Sequence, residues 1–311
     1  MENTTIQKSR SNRAVFVIGG AAVDILSTLS QSKLTNNASI DISYGGVARN
    51  ICEGLARLGI STKFTSIIGN DIWGSQLKNN LEKLGIPSTD LIQSSTQFLF
   101  LFFSFFFFFF FFFKKKEINH FFNSPTAIYN SISEFSGTTL ASATRMGIFD
   151  QFSADETLLS KKIQDTSLIC LDANLPIEAM SKVCSIASKH NTLIWYEPTS
   201  QYKSAKIVKA NVLSHITFLS PTFSELLGIC QELHYDKKPE LESLSEFLLS
   251  LYPQLNIIVT LGHKGVFLAR KENVKQPPSF QIFECIFFFF LFFFFCFLFY
   301  SCLRFQLISK F

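Results

Sequence analysis

Short runs of apolar residues alternate with longer amphipathic stretches along most of this chain. The run AVFVI at residues 14–18 ends in two glycines, which is typical of a buried strand followed by a turn. Residues 46–60 instead place apolar side chains at helical spacing, and Asp71 is expected to cap a later helix. Buried strands that alternate with amphipathic helices predict an α/β fold, with a mostly parallel sheet and helices on both faces. The predicted strands are residues 14–18, 63–68, 167–171, 192–196, 216–219, 256–261 and 265–269, and the predicted helices are 46–60, 73–84, 177–190, 222–231 and 241–251.

Two tracts of nearly pure phenylalanine interrupt this alternation. Of the 38 Phe in the chain, 13 lie within residues 98–113 and 10 within residues 287–299. As a helix the first tract spans about 24 Å, short of the roughly 30 Å core of a bilayer, whereas residues 285–303 are long enough to cross one. The Phe, Leu and Ser of the tracts are encoded by T-rich codons, and the three lysines at 114–116 by A-rich codons. Natural membrane helices have a more mixed composition than these tracts. We therefore favour translated non-coding sequence over a membrane segment.

The rest of the composition is ordinary for an α/β protein of 311 residues. The 28 basic and 24 acidic side chains are too evenly balanced for a protein that coats nucleic acid. The 7 cysteines show no framework spacing and no secretory signal is visible, so we expect a reducing, cytoplasmic location. The expected organisation is a polar segment at 1–13, one domain at 14–284 with a Phe-rich insert at 98–122, and a Phe-rich tail at 285–311.

Glycines and polar residues gather after the first predicted strand, and ligands bind at the carboxyl edge of such a sheet. Asp24 comes shortly after two glycines, so its carboxylate is placed to accept hydrogen bonds from neighbouring sugar hydroxyls. Taken without the other motifs, this one is more simply interpreted as a solvated aspartate in a turn. Gly45 and Gly46 open a helix whose free N–H groups suit polar or anionic ligands. Asn50 offers both a donor and an acceptor to a diol.

Polar residues also follow the later strands. Asn174 and Glu197 come directly after two predicted consecutive strands. Two interpretations are equally supported: these residues face a cleft that binds nucleotide phosphates, or they are ordinary turn residues. Glu225 lies three residues past Thr222, so it is either a capping-box acid or a ligand of hydrated Mg²⁺. The segment T-L-G-H-K-G that begins at Thr260 lacks the ending of a Walker A loop and is a weak phosphate signal by itself.

Taken in order, these motifs resemble the ribokinase-like (PfkB) carbohydrate kinase family. The matching series is G-G-x-x-x-D, G-G-x-x-x-N, G-N-D-x-x-G, P-x-x-x-E and T-L-G-x-x-G, and the similarity covers residues 14–97 and 124–269. D-A-N-L-P at 172–176 and W-Y-E-P-T-S at 195–200 look most like the pseudouridine kinases of that family, as do T-A-I-Y at 126–129 and M-G-I-F-D at 146–150. The resemblance implies a three-layer α/β/α sandwich with a small β lid.

The same resemblance implies a reaction and its site. The expected reaction is phosphorylation by ATP with Mg²⁺, with the 5′ hydroxyl of pseudouridine as acceptor; a ribokinase or adenosine kinase type of substrate, a monovalent cation and a homodimer remain open. Asp24, Gly45, Gly46 and Asn50 are implied to bind the sugar hydroxyls of the nucleoside or sugar. The implied ATP and phosphate ligands are Asn174, Glu197, Thr222, Thr260, Gly262 and Gly265, with Glu225 beside Mg²⁺ and with Thr222 where the family usually has Asn.

One catalytic element of the family has no counterpart in the sequence. The family carries G-A-G-D, whose amides stabilise the transferred phosphoryl group and whose Asp takes the proton of the attacking hydroxyl. No Gly follows Gly265 and no Asp follows Asp236 in these 311 residues, so no catalytic residue is assigned. We expect very low kinase activity from this chain. A membrane-anchored binding protein without catalysis is the alternative, and it requires that the tail at 285–311 is real.

Overall fold

Fourteen strands and eight α-helices make up the part of the chain that the computed structural model describes, residues 14–30, 37–94, 124–273 and 276–283. The strands are β1 (Ala14–Ile18), β2 (Ala22–Leu29), β3 (Ala38–Gly45), β4 (Thr62–Thr65), β5 (Ile67–Gly69), β6 (Ile92–Ser94), β7 (Ile128–Glu134), β8 (Thr139–Arg145), β9 (Thr166–Asp172), β10 (Leu193–Glu197), β11 (Phe218–Leu219), β12 (Asn256–Thr260), β13 (Val266–Arg270) and β14 (Ser279–Phe283). The helices are α1 (Val47–Arg57), α2 (Ile72–Lys83), α3 (Glu156–Gln164), α4 (Ile177–Lys189), α5 (Gln201–Ser204), α6 (Lys206–Lys209), α7 (Phe223–Glu232) and α8 (Leu241–Leu251).

Eight strands form one large sheet in the order β14-β13-β12-β11-β10-β9-β1-β4. The strands from β4 to β12 run parallel, and only β13 and β14 are antiparallel to their neighbours. Strand β1 is apolar at every position and buried on both faces, as expected for a parallel strand covered by helices. The predicted mostly parallel sheet is confirmed.

Helices cover both faces of this sheet and create two separate cores. Val15 and Val17 of β1 point to the core that contains α1 and α2, whereas Phe16 and Ile18 point to the core that contains α3, α4, α7 and α8. This alternation of side chains follows from the two-residue period of a strand. The three-layer α/β/α arrangement expected from the sequence is therefore present.

A second, four-stranded sheet in the order β3-β2-β7-β8 extends from the large sheet. It is called the small sheet below. The chain enters it from β1 through Gly19–Ala21, and β3 leaves it at Gly45, with the single residue Gly46 before α1 begins. Its strands are much more exposed than those of the large sheet, since β8 is exposed at all seven positions. The small sheet occupies the place of the β lid that the resemblance implied.

Several predicted boundaries differ from the structure for identifiable reasons. The predicted strand 63–68 is two strands, because the carbonyl of Ser66 accepts a hydrogen bond from the Ile92 amide and the chain leaves the large sheet there. The predicted strand 216–219 is reduced to two residues, because Ile216 ends a 3-10 turn. Asp71 caps α2 as predicted, by accepting a hydrogen bond from the Gly74 amide at 2.8 Å.

The segment at 1–13, the Phe-rich insert at 98–122 and the tail at 285–311 lie outside the described residues. Among the helices of the described ranges, none combines the length and the apolar character that crossing a membrane requires.

Candidate functional site

The order of the parallel strands identifies where a ligand binds. From β1 the chain continues to β4 on one side, then to β9 on the other side and outward through β10, β11 and β12. The order therefore reverses between β1 and β9, which leaves a crevice at their carboxyl ends. Gly19 and Gly20 follow β1, and Asp172 ends β9, so these residues border the crevice.

Asp172 is the hydrogen-bonding centre of this crevice. Its side chain is buried, and Oδ2 accepts hydrogen bonds from the amides of Gly20 at 2.9 Å and Ala48 at 3.0 Å and from Nδ2 of Asn174 at 2.9 Å. Its Oδ1 accepts one from the amide of Asn174 at 2.9 Å. Burial raises the pKa of Asp172, and these hydrogen bonds oppose that shift. One carboxylate thus joins the end of β1, the start of α1 and the loop after β9.

The two glycines after β1 are required by this close packing. A Cβ at Gly19 would lie 2.4 Å from Asp172, and a Cβ at Gly20 would lie 2.5 Å from Nδ2 of Asn174. Both distances are far below van der Waals contact, so no larger residue fits without moving the crevice wall.

Asp24, Gly45 and Gly46 come together at the start of α1, as the sequence predicted. Asp24 is half-buried, and its carboxylate lies against Gly45 so closely that a Cβ there would be 2.1 Å from Oδ2. Burial raises the pKa of Asp24, and the charge of Arg49 opposes this. Gly46 has φ +95°, and a Cβ there would be 2.4 Å from the carbonyl oxygen of Gly20.

Asn50 lies one turn into α1 and is exposed. Its Oδ1 accepts hydrogen bonds from Nε and Nη2 of Arg49, at 3.3 and 2.9 Å, so its amide NH₂ remains for a ligand. Arg49 is itself buried and also contacts Asn80 and Glu53. Sequence reasoning assigned no role to Arg49, which holds Asn50 in place.

The expectation of free amides at the start of α1 is wrong in detail. The Ala48 amide donates to Asp172, and the Arg49 amide donates to the carbonyl of Gly20 at 3.2 Å. The helix start therefore uses its donors to hold the crevice together rather than to present them all to a ligand.

The residues assigned to phosphate lie at the carboxyl ends of β9, β10 and β11, which are neighbours in the sheet. Asn174 is buried, and its Oδ1 accepts a hydrogen bond from Nζ of Lys203 at 2.6 Å. Glu197 accepts one from the Ser220 hydroxyl at 2.6 Å. Burial raises the pKa of Glu197 to about 8. The negative charge of Glu225 also raises this pKa, whereas the hydrogen bond from Ser220 lowers it.

Thr222 and Glu225 form the capping box that the sequence offered as one alternative. The Thr222 side chain accepts from the Glu225 amide at 3.4 Å, and Oε2 of Glu225 accepts from the Thr222 amide at 2.7 Å. The second oxygen of Glu225 has no partner among the described residues. A single free carboxylate oxygen is the kind of ligand that hydrated Mg²⁺ takes, so Glu225 fits the ion. No group of three or more potential metal ligands occurs in the described ranges.

Thr260 is the last residue of β12, and Gly262 and Gly265 lie in the turn that follows it. The Thr260 amide donates to the carbonyl of Pro221 at 3.0 Å, which places this turn beside Thr222. Gly262 and Gly265 have φ of +60° and +98°, a left-handed backbone that glycine adopts without strain. A Cβ at Gly262 would meet no atom within 4 Å, so this side of the turn is open.

The predicted residues thus fall into two groups along one edge of the large sheet. Asp24, Gly45, Gly46 and Asn50 lie at the β1 end, and Thr222, Glu225, Thr260, Gly262 and Gly265 lie at the β11 and β12 end. Between these groups, Asn174 follows β9 and Glu197 is the last residue of β10. Such an edge suits a phosphoryl acceptor at one end and a nucleotide at the other.

Comparison with known proteins agrees with this arrangement. A family model described as pfkB family carbohydrate kinase matches residues 12–97 and 125–284, and the chain belongs to this family. The family is one of phosphotransferases that act on sugar and nucleoside hydroxyls.

Individual relatives are distant. A pseudouridine kinase of Arabidopsis thaliana is 24% identical over 281 residues, which cover 84% of this chain and 66% of that protein. The chain thus spans slightly less than two thirds of that relative. A ribokinase of Bacillus subtilis is 21% identical, covering 87% of this chain and 79% of its own length. The structure of Arabidopsis thaliana ribokinase complexed with ribose and ATP superposes with a TM-score of 0.62 at 16% identity, covering 87% of this chain and 78% of that one, which shows the ribokinase-like fold.

Proposed function

We propose that this chain holds a nucleoside, with pseudouridine as the leading candidate, in the crevice between β1 and β9 and beneath the small sheet. The observation that carries the proposal is the half-buried carboxylate of Asp24 against Gly45. A carboxylate accepts hydrogen bonds from two adjacent hydroxyls of a ribose ring, and the lack of a side chain at Gly45 makes room for the Asp24 carboxylate in this position. The exposed amide of Asn50 adds a donor nearby.

A nucleoside is favoured over a free sugar by Tyr129. Tyr129 of β7 pairs directly with Asp24 of β2, and because neighbouring residues of a sheet share a face, its ring lies on the same side as the carboxylate. An aromatic ring gives a base a surface on which to stack. The pseudouridine kinase similarity supports the same choice. A ribokinase type of substrate remains the second candidate, supported by the ribokinase similarities.

The reaction we assign to this architecture is transfer of the γ-phosphoryl group of ATP to the 5′ hydroxyl of the nucleoside. Asp24 and Asn50 orient the sugar, and the edge formed by Asn174, Thr222 and Thr260 receives the phosphates. Glu225 would hold Mg²⁺ through its waters, and the ion would neutralise phosphate charge. No residue of this chain is assigned to take the proton, because the G-A-G-D element does not occur in the 311 residues. We therefore propose nucleoside binding with very little turnover.

The test measures binding and turnover separately on the full chain. Isothermal titration with pseudouridine, adenosine and ribose is expected to rank pseudouridine first, and Asp24→Asn is expected to weaken its binding about tenfold or more through loss of charge-assisted hydrogen bonds. Asp165→Asn is the matched control, because this exposed carboxyl lies at the opposite end of β9. Tighter binding of ribose would favour the ribokinase type, and efficient phosphorylation of pseudouridine would refute the proposed inactivity.

The status of the Phe-rich tracts is tested at the level of the message. Sequencing the transcript across both tracts is expected to show them removed and a G-A-G-D coding segment downstream. In that case the mature protein is an active kinase and this chain is a mistranslated form. If both tracts are present, the membrane-anchored binding protein becomes the better proposal, with membrane association that disappears on deletion of residues 285–311.

A homodimer is proposed through the outer face of the small sheet. Ile40 and Ile132 flank Ser27 in one cross-strand row, and Ile42 pairs with Ile25 in the next. Ile40 and Ile42 are 65% and 54% exposed, so this face presents apolar side chains that a second copy of the chain would cover. Analytical ultracentrifugation is expected to show a dimer that Ile40→Asp converts to a monomer. A monomeric wild-type chain would contradict this.

A cytoplasmic location is proposed from the cysteines. Cys52, Cys184 and Cys230 are buried free thiols, which suits a reducing compartment that also supplies ATP. Fractionation of cells that express the tagged chain tests the location.

A further inference from the structure

Two lysines that follow β10 reach back to the loop after β9. Lys203 of α5 donates a hydrogen bond from Nζ to Oδ1 of Asn174 at 2.6 Å. Lys206 of α6 donates from Nζ to the carbonyl oxygens of Ala173, at 3.0 Å, and Leu175. Both ammonium groups therefore lie at the carboxyl edge of the large sheet, beside the crevice.

These two cations lack close anionic partners. Neither ammonium group lies within 4.0 Å of a carboxylate in the described part of the chain, although both side chains are half-buried. Burial lowers the pKa of Lys203 and of Lys206, and for Lys206 the charge of Lys203 acts in the same direction. Asp172 and Asp150 oppose these shifts from a greater distance, as Glu178 does for Lys206. Desolvated like charges without close compensation attract an anion.

The two lysines differ in the donors that they leave free. An ammonium group has three protons. Lys206 uses its protons on two backbone carbonyls, so it fixes the loop after β9. Lys203 has a single acceptor, and most of its donor capacity remains for a ligand.

The position of Lys203 is itself fixed by a chain of hydrogen bonds. Asp172 accepts from Nδ2 of Asn174, which turns Oδ1 of Asn174 toward Lys203. Because Asp172 also holds the amides of Gly20 and Ala48, the ammonium group is tied to the crevice that receives the acceptor. Lys203 thus has the preorganised geometry of a ligand-binding group rather than of a solvated surface lysine.

The order of the sheet identifies the anion. The proposed nucleotide residues follow β11 and β12, and the proposed acceptor residues lie next to β1. Lys203 follows β10 and contacts the loop after β9, so it stands between the two groups. A phosphate chain that extends from the nucleotide toward the acceptor passes this point.

We propose that Lys203 binds the terminal phosphates of the phosphoryl donor, with Lys206 as a positioning residue for the loop that carries Asn174. This inference rests on the proposed kinase function, and it assigns Lys203 as the main cationic ligand of the phosphates in that site. Lys203 holds a phosphate oxygen through charge-assisted hydrogen bonds and offsets part of the negative charge near the acceptor.

The test uses inorganic tripolyphosphate as the probe, since it isolates phosphate binding from binding of the base. Isothermal titration at low ionic strength compares the full wild-type chain with Lys203→Met and Lys203→Arg. Lys209→Met is the matched control, because Lys209 lies in the same short segment but is 54% exposed and pairs with Glu232. Lys203→Met is expected to weaken tripolyphosphate binding about tenfold or more, whereas Lys203→Arg retains the charge and most of the affinity. Circular dichroism confirms that each variant is folded.

Two results would overturn the assignment. One is equal tripolyphosphate binding by the wild type and Lys203→Met, and the other is a wild-type chain that binds pseudouridine but no tripolyphosphate. Titration of the wild type with pseudouridine in the same preparations separates this failure from failure of the proposed function, because nucleoside binding is proposed to rest on Asp24 and Asn50 rather than on Lys203. If the wild-type chain does not bind pseudouridine, the proposed function is refuted as well.

Discussion

Replacement of Asp172 by asparagine tests whether one carboxylate holds the crevice together. Oδ2 accepts three hydrogen bonds and Oδ1 accepts a fourth, and all four donors are at 2.9–3.0 Å. An amide has only one oxygen. If that oxygen takes the Oδ2 position, the new NH₂ group faces the amide of Asn174, and the opposite orientation sets it against the other three donors. Asp172→Asn therefore leaves at least one buried donor without an acceptor.

The expected loss of stability follows from these contacts. One unsatisfied buried donor costs about 1–3 kcal/mol, and hydrogen bonds that lose a charged acceptor are weakened as well. We expect Asp172→Asn to lower the free energy of unfolding by about 2–4 kcal/mol, with Asp172→Ala at or above the top of that range. Asp155 provides the comparison, because this exposed residue accepts a single hydrogen bond, from the Leu158 amide at 2.8 Å. Asp155→Ala should cost about 1 kcal/mol.

Urea unfolding followed by circular dichroism at neutral pH measures both variants under the same conditions. The slope of the free energy with urea must stay the same for the comparison to hold. A loss for Asp172→Asn that is no larger than the loss for Asp155→Ala would refute the reasoning, because it would mean that the buried carboxylate contributes no more than an exposed helix cap.

Three further changes test other contacts. Burial would raise the pKa of Asp71, but its hydrogen bonds outweigh burial and lower the pKa. The carboxylate therefore stabilises the fold above pH 3.8, and this contribution is lost as the pH falls through the lower pKa of the folded state. Below pH 3.8 the urea midpoint should fall less steeply with pH for Asp71→Asn than for the wild type. Gly46→Ala should lose more than about 1 kcal/mol of stability, because its φ is +95° and its Cβ would strike Gly20, and an unchanged urea midpoint would contradict this. Glu225→Gln keeps the capping bond to Thr222 and so should keep the urea midpoint while losing Mg²⁺-dependent ATP binding, whereas Glu225→Ala should lose both, with about 1 kcal/mol of stability.

The large sheet was predictable because its strands are buried on both faces. A strand such as β1 is a continuous apolar run, and such a run is visible without knowledge of its partners. The small sheet gave no comparable signal. Its strand β8 reads TLASATR and is exposed throughout, so it is held by cross-strand pairing with β7 rather than by a local hydrophobic pattern.

The candidate site was predictable to a similar extent. Asp24, Gly45 and Gly46 are found together because their motifs lie next to strand ends. The role of Asp172 was not visible, since its amide donor at Gly20 is 152 residues away in the chain. Lys203 was missed for the same reason, although its place shortly after the E-P-T-S turn that ends β10 was a usable signal.

The short connection between β3 and α1 has a mechanical consequence. A single residue, Gly46, separates the last residue of β3 from the first residue of α1. The eight residues of β3 form an arm of about 27 Å that begins beside this residue. One residue leaves little slack between the arm and the helix. A rotation of the arm would therefore have to be taken up by the backbone of Gly46, or it would also turn the first turn of α1, where Asn50 lies.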